Sequence, residues 1–240
     1  MNREKYVMIG HAHILGDLIE IIDANEGILT KIVQNMEEPV QNNRPTLNQR
    51  LGLAKLQDAK FNPNDVNQFY PILIESLDNF RPQKDEKYII GFTGFKMSKL
   101  VQYLTEKFNL QFTPLIHPSA IISSNVKIGS GSIIQAGTII ASGVQIENHT
   151  FINKGVTIGY QTIIERFSSL APGTIIGQNT LIKTGATLGI GCVILNGIVV
   201  NQYSMVAAGA IVTKDVPFNT LVAGIPAIIK KTNFHKRIEE

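Results

Sequence analysis

Residues 138–180 read TIIASGVQIENHTFINKGVTIGYQTIIERFSSLAPGTIIGQNT. An aliphatic residue returns at every sixth position: Ile140, Ile146, Ile152, Ile158, Ile164, Leu170, Ile176. The count runs back through Ile134 and Ile128 to Ile122. It runs on through Ile182, Leu188, Ile194, Val200 and Val206 to Val212. Between Ala120 and Asp215 that makes sixteen positions without a miss. Two residues before them stand small or β-branched side chains: Val126, Ser132, Thr138, Val144, Thr150, Val156, Thr162, Ser168, Thr174, Thr180, Ala186, Cys192. A period of six is neither helical nor two-fold, and it signals a repeat architecture. Six residues make one short strand and a turn, and three such sides close a triangular coil. The aliphatics stack inside, the small residues pack at the corners, and Gly or Asn takes turns that need positive φ. The reading is a parallel β-helix of the hexapeptide type, about five coils long.

The chain has 240 residues and a net charge of +3, which gives no argument for nucleic acid or membrane as partner. The single cysteine, Cys192, falls on an inward small-residue position and reads as packing. No intrachain disulfide can form, which suits a reducing compartment. The opening MNREKYVMIG is too short an apolar run for a signal peptide or a membrane span, so a cytoplasmic protein is expected.

Ahead of the coil the pattern changes. Tyr6–Ile9 reads as a strand, Gly10-His11-Ala12-His13 as a tight loop, and Ile14, Leu18, Ile21 and Ile22 as one helix face. A second strand, Ile28–Val33, leads to Gln34-Asn35. Strand, loop, helix, strand opens a nucleotide-binding α/β unit. The loop lacks the middle glycine of the dinucleotide fingerprint. Residues 36–70 are polar and poorly periodic, with a short helix expected at Arg50–Leu56. Structure resumes over Ile72–Phe80. A strand at Lys87–Phe92 follows, with Gly91-Phe92-Thr93-Gly94 at its carboxyl end, and then a helix over Met97–Phe108. The expected division is an α/β domain over 1–112, a coil domain over 113–227, and a tail over 228–240 that is charged from Lys230 to Glu240 and reads there as a short helix.

Three stretches carry a resemblance. They are LIHPSA at 115–120, IN at 152–153 with APG at 171–173, and AAGAIVTKDVPFNTLVAGIPA at 207–227. With them the chain resembles the bacterial hexapeptide acyltransferases that act on nucleotide-linked sugars and sialic acids. The resemblance covers nearly all of the chain outside residues 36–70. It implies a Rossmann-like nucleotide-sugar-binding domain followed by a left-handed parallel β-helix. It also implies acetyl-CoA as co-substrate, a homotrimer with sites between neighbouring coils, and a place in surface-polysaccharide (O-antigen) synthesis. By the same resemblance, Gly10, His11, Ala12, His13, Gln34, Asn35, Gly91, Phe92 and Thr93 would face the sugar nucleotide, with UDP the expected carrier. Ser169, Gln178, Ile190, Gly191, Ala208, Gly209 and Lys214 would line the coenzyme groove. Gln178 stands where the family has glycine, and its backbone N–H could still serve there.

The departure lies at the reacting centre. The family has His followed by Asp or Glu, then a second His nine residues on. This chain reads VTIGYQTIIERFSSLAPG, so Tyr160, Gln161 and Ser169 take those places. The six-residue period holds the register on both sides. A hydroxyl acceptor needs a base, because it ionises far above neutral pH. An amine with a pKa of about 8 is roughly one-tenth neutral at pH 7. Positioning that amine against the thioester, with donors for the oxyanion, can then supply most of the rate. The missing His thus points to N-acetylation of an amino sugar. Tyr160 and Asn153 are the expected substrate-contacting residues. His149, in the turn Glu147-Asn148-His149, reads as an exposed turn residue that could also reach a neighbouring subunit as a substitute base. His117 reads as a cap at the start of the coil or a residue of the sugar site, and Glu165 and Arg166 as solvated turn residues.

No metal is expected. A zinc β-helix enzyme of the γ-carbonic-anhydrase type needs three converging His, and only His117 and His149 lie in or beside the coil. A nucleotidyltransferase needs a larger first domain. A purely structural β-helix has no use for the α/β unit or the TKDVP and AGIPA turns. The remaining alternatives are a sugar-nucleotide-binding homologue without catalysis and an O-acetyltransferase of a sialic-acid-like sugar.

Overall fold

The computed structural model describes residues 3–11, 14–35, 47, 51 and 72–235. The expected helix at Arg50–Leu56 lies, but for Leu51, outside the described residues, as do most of residues 36–70, Ala12, His13 and the last five residues. The chain forms two compact units, 1–92 and 93–240.

In the first unit, β1 (Lys5–Ile9), α1 (Leu15–Ala24), β2 (Ile28–Gln34), β3 (Leu73–Ser76) and β4 (Glu86–Ile90) follow in order. The sheet order is β3-β2-β1-β4, parallel throughout. The chain steps from β1 out to β3 on one side, then crosses to β4 on the other. The order therefore reverses between β1 and β4, where an open α/β sheet leaves a crevice at its carboxyl ends. Val7, Met8, Ile9, Ile32, Val33, Ile89 and Ile90 are buried on the strands. Leu15, Leu18, Ile21 and Ile22 are buried on α1, as an amphipathic stripe dictates.

The second unit opens with a 3-10 turn, Phe95–Met97, and α2, Ser98–Phe108. The expected inward residues Val101 and Leu104 are buried, and Leu100 is half-buried. From Leu115 to Val212 two-residue strands recur every six residues and stack in three parallel sheets. Each strand pairs with the one eighteen residues away, as Phe151 does with Ser169 and Ile133. This is a left-handed parallel β-helix. The six-fold aliphatics from Ile134 to Val212 lie in one continuous core. The small residues from Ser132 to Cys192 are buried too, and their hydroxyls reach corner carbonyls: Thr162 Oγ1 donates to Gly177 O at 3.0 Å and Ser168 Oγ to Lys183 O at 3.0 Å. A buried polar atom needs such a partner, and the corner supplies it.

One edge of the prism carries a column of left-handed residues eighteen apart: Gly131, His149, Phe167, Gly185 and Tyr203, all with φ between 57° and 68°. Its two glycines are gaps in an aromatic stack, and the ends of the α2 segment fill them. Phe112 meets His149 (centroids 5.0 Å), while Phe95 packs between Phe167 (6.4 Å) and Tyr203 (4.6 Å). A Cβ on Gly131 would collide with the His149 ring, and one on Gly185 would lie 2.7 Å from the Tyr203 ring.

The tail departs from expectation. Ile228–Lys231 is a strand, antiparallel to Leu221–Ala223, so the expected helix over Lys230–Glu240 does not form at its first two residues, while residues 236–240 of it lie outside the described residues. Gly224 (φ 103°) lies in the reversal that brings the tail back along Leu221–Ala223, whose edge pairs with it.

Candidate active site

In the first unit four of the expected nucleotide-binding residues, Gly10, Asn35, Gly91 and Phe92, lie together. Gly10 (φ 68°) donates its N–H to Val33 O at 2.7 Å, and Gly91 donates to Ile9 O at 3.0 Å. A Cβ on Gly10 would fall 2.6 Å from the Phe92 ring and 2.9 Å from Asn35 Oδ1. A Cβ on Gly91 would strike the Gly10 carbonyl oxygen. The carboxyl ends of β1, β2 and β4 thus meet at Gly10, Asn35, Gly91 and Phe92. Gly91 is required because backbone approaches backbone there, and Gly10 because its φ is left-handed and the Phe92 and Asn35 side chains fill the space a Cβ would need. Gln34 closes β2 opposite Ser76, and His11 is half-buried. Ala12 and His13 lie outside the described residues, and Thr93 opens the second unit.

In the second unit the expected catalytic residues lie on three different edges of the prism. Asn153 stands on the edge shared with His117, Gln135 and Ala171, each eighteen residues from the next. Tyr160 stands on a second edge, about half exposed, beneath Gln178, Asn196 and Lys214 in the same column. His149 belongs to the third. The residues expected to line the coenzyme groove divide likewise. Ile190-Gly191 and Ala208-Gly209 stack on the Asn153 edge, Gln178 and Lys214 on the Tyr160 edge, and Ser169 lies in a strand of the face bearing Phe151 and Thr187. One chain does not gather them.

His149 corrects an expectation. It is 7 % exposed, stacked on Phe167 (5.5 Å, 7° between planes) and edge-on to Phe112, all within one chain. Its Nδ1 has no hydrogen-bond partner, and burial pushes its pKa down to about 4. It is not an exposed turn residue. Its turn position gave no hint of this, because Phe112 arrives from thirty-seven residues upstream. Glu165 is not merely solvated, since its Oε2 accepts from Thr184 N (2.8 Å) and Oγ1 (2.7 Å) of the next coil. His117 does cap the coil start. Its Nδ1 lies 2.7 Å from Ser119 Oγ, which accepts from Gly137 N–H at 3.1 Å. Cys192 is fully buried, and burial raises its thiol to about 11, as a packing residue requires.

The Gln178 N–H, expected to serve the coenzyme, is already committed. It donates to Asn196 Oδ1 at 3.1 Å. Asn196 was not singled out from the sequence. Its eighteen-residue offset from Gln178 was the available signal. Asn196 lines a groove of about 430 Å³ with Ile175, Gly177, Val193, Ile194 and Leu195.

No family model matches the chain, and no curated protein matches it. Solved structures do. A mutant perosamine N-acetyltransferase from Caulobacter crescentus, in complex with CoA and GDP-perosamine, is 21% identical. It covers 95% of this chain and 97% of its own, with a TM-score of 0.76. The acetyltransferase domain of PglB from Neisseria gonorrhoeae, also solved with acetyl coenzyme A, is 19% identical over 95% and 100% of the chains, with a TM-score of 0.73. WeeI from Acinetobacter baumannii is 20% identical over 94% and 99%, with a TM-score of 0.69. The likeness establishes the fold. It spans both units.

Proposed function

We propose that the protein is an acetyl-CoA-dependent N-acetyltransferase acting on the amino group of a nucleotide-linked amino sugar, without a histidine base. The observation that carries this reading is the Tyr160 edge. Asn196, in the same column as Tyr160 and Gln178, lines a groove there with Ile175, Gly177, Val193, Ile194 and Leu195, while His149, the nearest substitute base in the sequence, is sequestered in an aromatic stack. A site so equipped suits a nucleophile that arrives already neutral. The fold likeness to structures solved with CoA and GDP-perosamine supports the same chemistry.

In this reading the Gly10–Gly91 crevice holds the nucleoside diphosphate, with Gly10, His11, Asn35 and Phe92 around it. Tyr160 and Asn153 contact the sugar amine. Ser169, Ile190, Gly191, Ala208, Gly209 and Lys214 hold the coenzyme. The amine attacks the thioester carbonyl, the C–N bond forms and the C–S bond breaks. The proton lost by nitrogen ends on the departing CoA sulfur. Asn153 and Tyr160 stand on different edges, which supports a homotrimer whose sites draw one edge from each of two subunits. No helix among the described residues is long and apolar enough to cross a membrane, which fits an enzyme of cytoplasmic sugar-nucleotide synthesis feeding surface polysaccharide.

The test is CoA release from acetyl-CoA, followed with a thiol reagent, over UDP-, dTDP- and GDP-linked 3-amino and 4-amino sugars, each beside its hydroxyl counterpart. Turnover with an amine and none with its hydroxyl twin is expected. Turnover on hydroxyls overturns the amine reading. Nucleotide-sugar binding with no turnover on any member overturns catalysis. In the same assay Tyr160→Phe retains most of its rate if the amine needs no proton acceptor.

A further inference from the structure

We propose that Asn196 donates a hydrogen bond to a carbonyl oxygen of an acyl-pantetheine chain lying along the Tyr160 edge, an assignment that rests on the coenzyme reading above. The orientation of its carboxamide is set by the protein. Asn196 Oδ1 accepts the Gln178 N–H at 3.1 Å, and a backbone N–H can only meet the oxygen, so the amide cannot flip. The Nδ2 group is left without a partner among the described residues, on an exposed side chain that lines the groove.

Gly177 permits this geometry, because a Cβ there would occupy the place of Asn196 Oδ1. The same bond recurs on another edge, where Asn148 Oδ1 accepts from Ser130 N–H at 3.0 Å above Gly129. The cap alone is therefore a coil-stacking device. What differs is the surroundings. Asn148 stands among Lys127, Glu147 and Arg166, whereas the walls beside Asn196 are Ile175, Val193 and Leu195. Ile175 and Leu195 are 49 % and 44 % exposed, so the walls face outward and are open to a ligand.

An apolar trough with one fixed N–H donor suits a chain of methylenes interrupted by amide and thioester carbonyls. It does not suit a sugar, which needs many polar partners. One coil higher, about 5 Å along the axis, the column continues into exposed Lys214, a cation placed for the phosphates at the other end of a coenzyme. The commitment of the Gln178 N–H to Asn196 also means that the side-chain amide, not that backbone group, is the donor this edge presents.

The test uses Asn196→Asp, which keeps an oxygen for the Gln178 N–H while turning the donor into an acceptor. Asn196→Ala removes both. Calorimetry is run with acetyl-CoA and with adenosine 3′,5′-bisphosphate, the nucleotide half that lacks the pantetheine arm. For Asn196→Asp the expected result is acetyl-CoA affinity weaker by about tenfold or more, bisphosphate affinity unchanged, and melting temperature unchanged. Asn196→Ala weakens acetyl-CoA similarly and also lowers the melting temperature. Acetyl-CoA binding by Asn196→Asp at the wild-type level overturns the proposal, as does equal loss of both probes. Failure of the wild-type protein to bind acetyl-CoA overturns the coenzyme reading itself. Binding without an Asn196 effect overturns only the assignment.

Discussion

At the scale of single residues, His149 shows how packing overrides a residue's usual chemistry. A histidine in a turn normally titrates near 6.5, but enclosed by Phe112 and Phe167 it holds a proton only below about pH 4. The unfolded chain therefore binds one more proton than the folded one between those values. Stability that is fully present above about pH 6.5 is lost as pH falls toward 4. Urea midpoints measured from pH 7.5 to 5 should decline, and His149→Phe should flatten the decline. Phe167 holds the same left-handed conformation in the same column (φ 60° against 57°), so phenylalanine is accommodated there. An unchanged slope in the variant would remove His149 as the source. Bulky side chains in this region each cost on the order of 1–2 kcal/mol. The ring contacts down the column are what offset that cost at His149, Phe167 and Tyr203.

Among elements, the sheet of the first unit depends on two backbones meeting at the ends of β1 and β4. Gly91→Ala would push a methyl group into the Gly10 carbonyl oxygen, against main chain that has no room to yield. The expected outcome is a loss of nucleotide-sugar binding by tenfold or more, with a lowered melting temperature. Gly16→Ala serves as the control in the same unit, because a methyl group there meets nothing within 4 Å and should leave binding unchanged. In the coil the repeating element is the corner, where side chains of one turn cap the N–H groups of another. Asn125 holds Gly143 (3.1 Å), Glu147 holds Arg166 (3.1 Å) and Glu165 holds Thr184 (2.8 Å). Residues that read as solvated in one dimension become caps once the eighteen-residue pitch brings them into register.

For the whole molecule, Asn153, Tyr160 and the residues proposed for the coenzyme lie on different edges, so the proposed function requires a second subunit to complete the site. The outward positions of one face include Ile121 and Ile139, 67 % and 45 % exposed. Exposed isoleucines in a row form an apolar strip, and in the proposed trimer this strip is the expected subunit contact. Sedimentation equilibrium should return three times the chain mass of 26.4 kDa. Ile139→Glu should lower that mass and abolish CoA release together. A monomeric wild-type protein that still turns over would place a complete site within one chain.

The β-helix was legible from the sequence alone because its core is periodic. Each aliphatic from Ile134 to Val212 is buried for a reason that recurs every six residues, and no distant segment can change its inward direction. The α/β opening was legible on the same grounds, from the strands and the α1 stripe. The tail strand, the enclosure of His149 and the commitment of the Gln178 N–H to Asn196 depend on partners that the local pattern does not name. Local periodicity determines which way a side chain points. Only the tertiary structure decides what it meets there, because contacts between distant segments set burial, and burial sets whether a polar group is free to act.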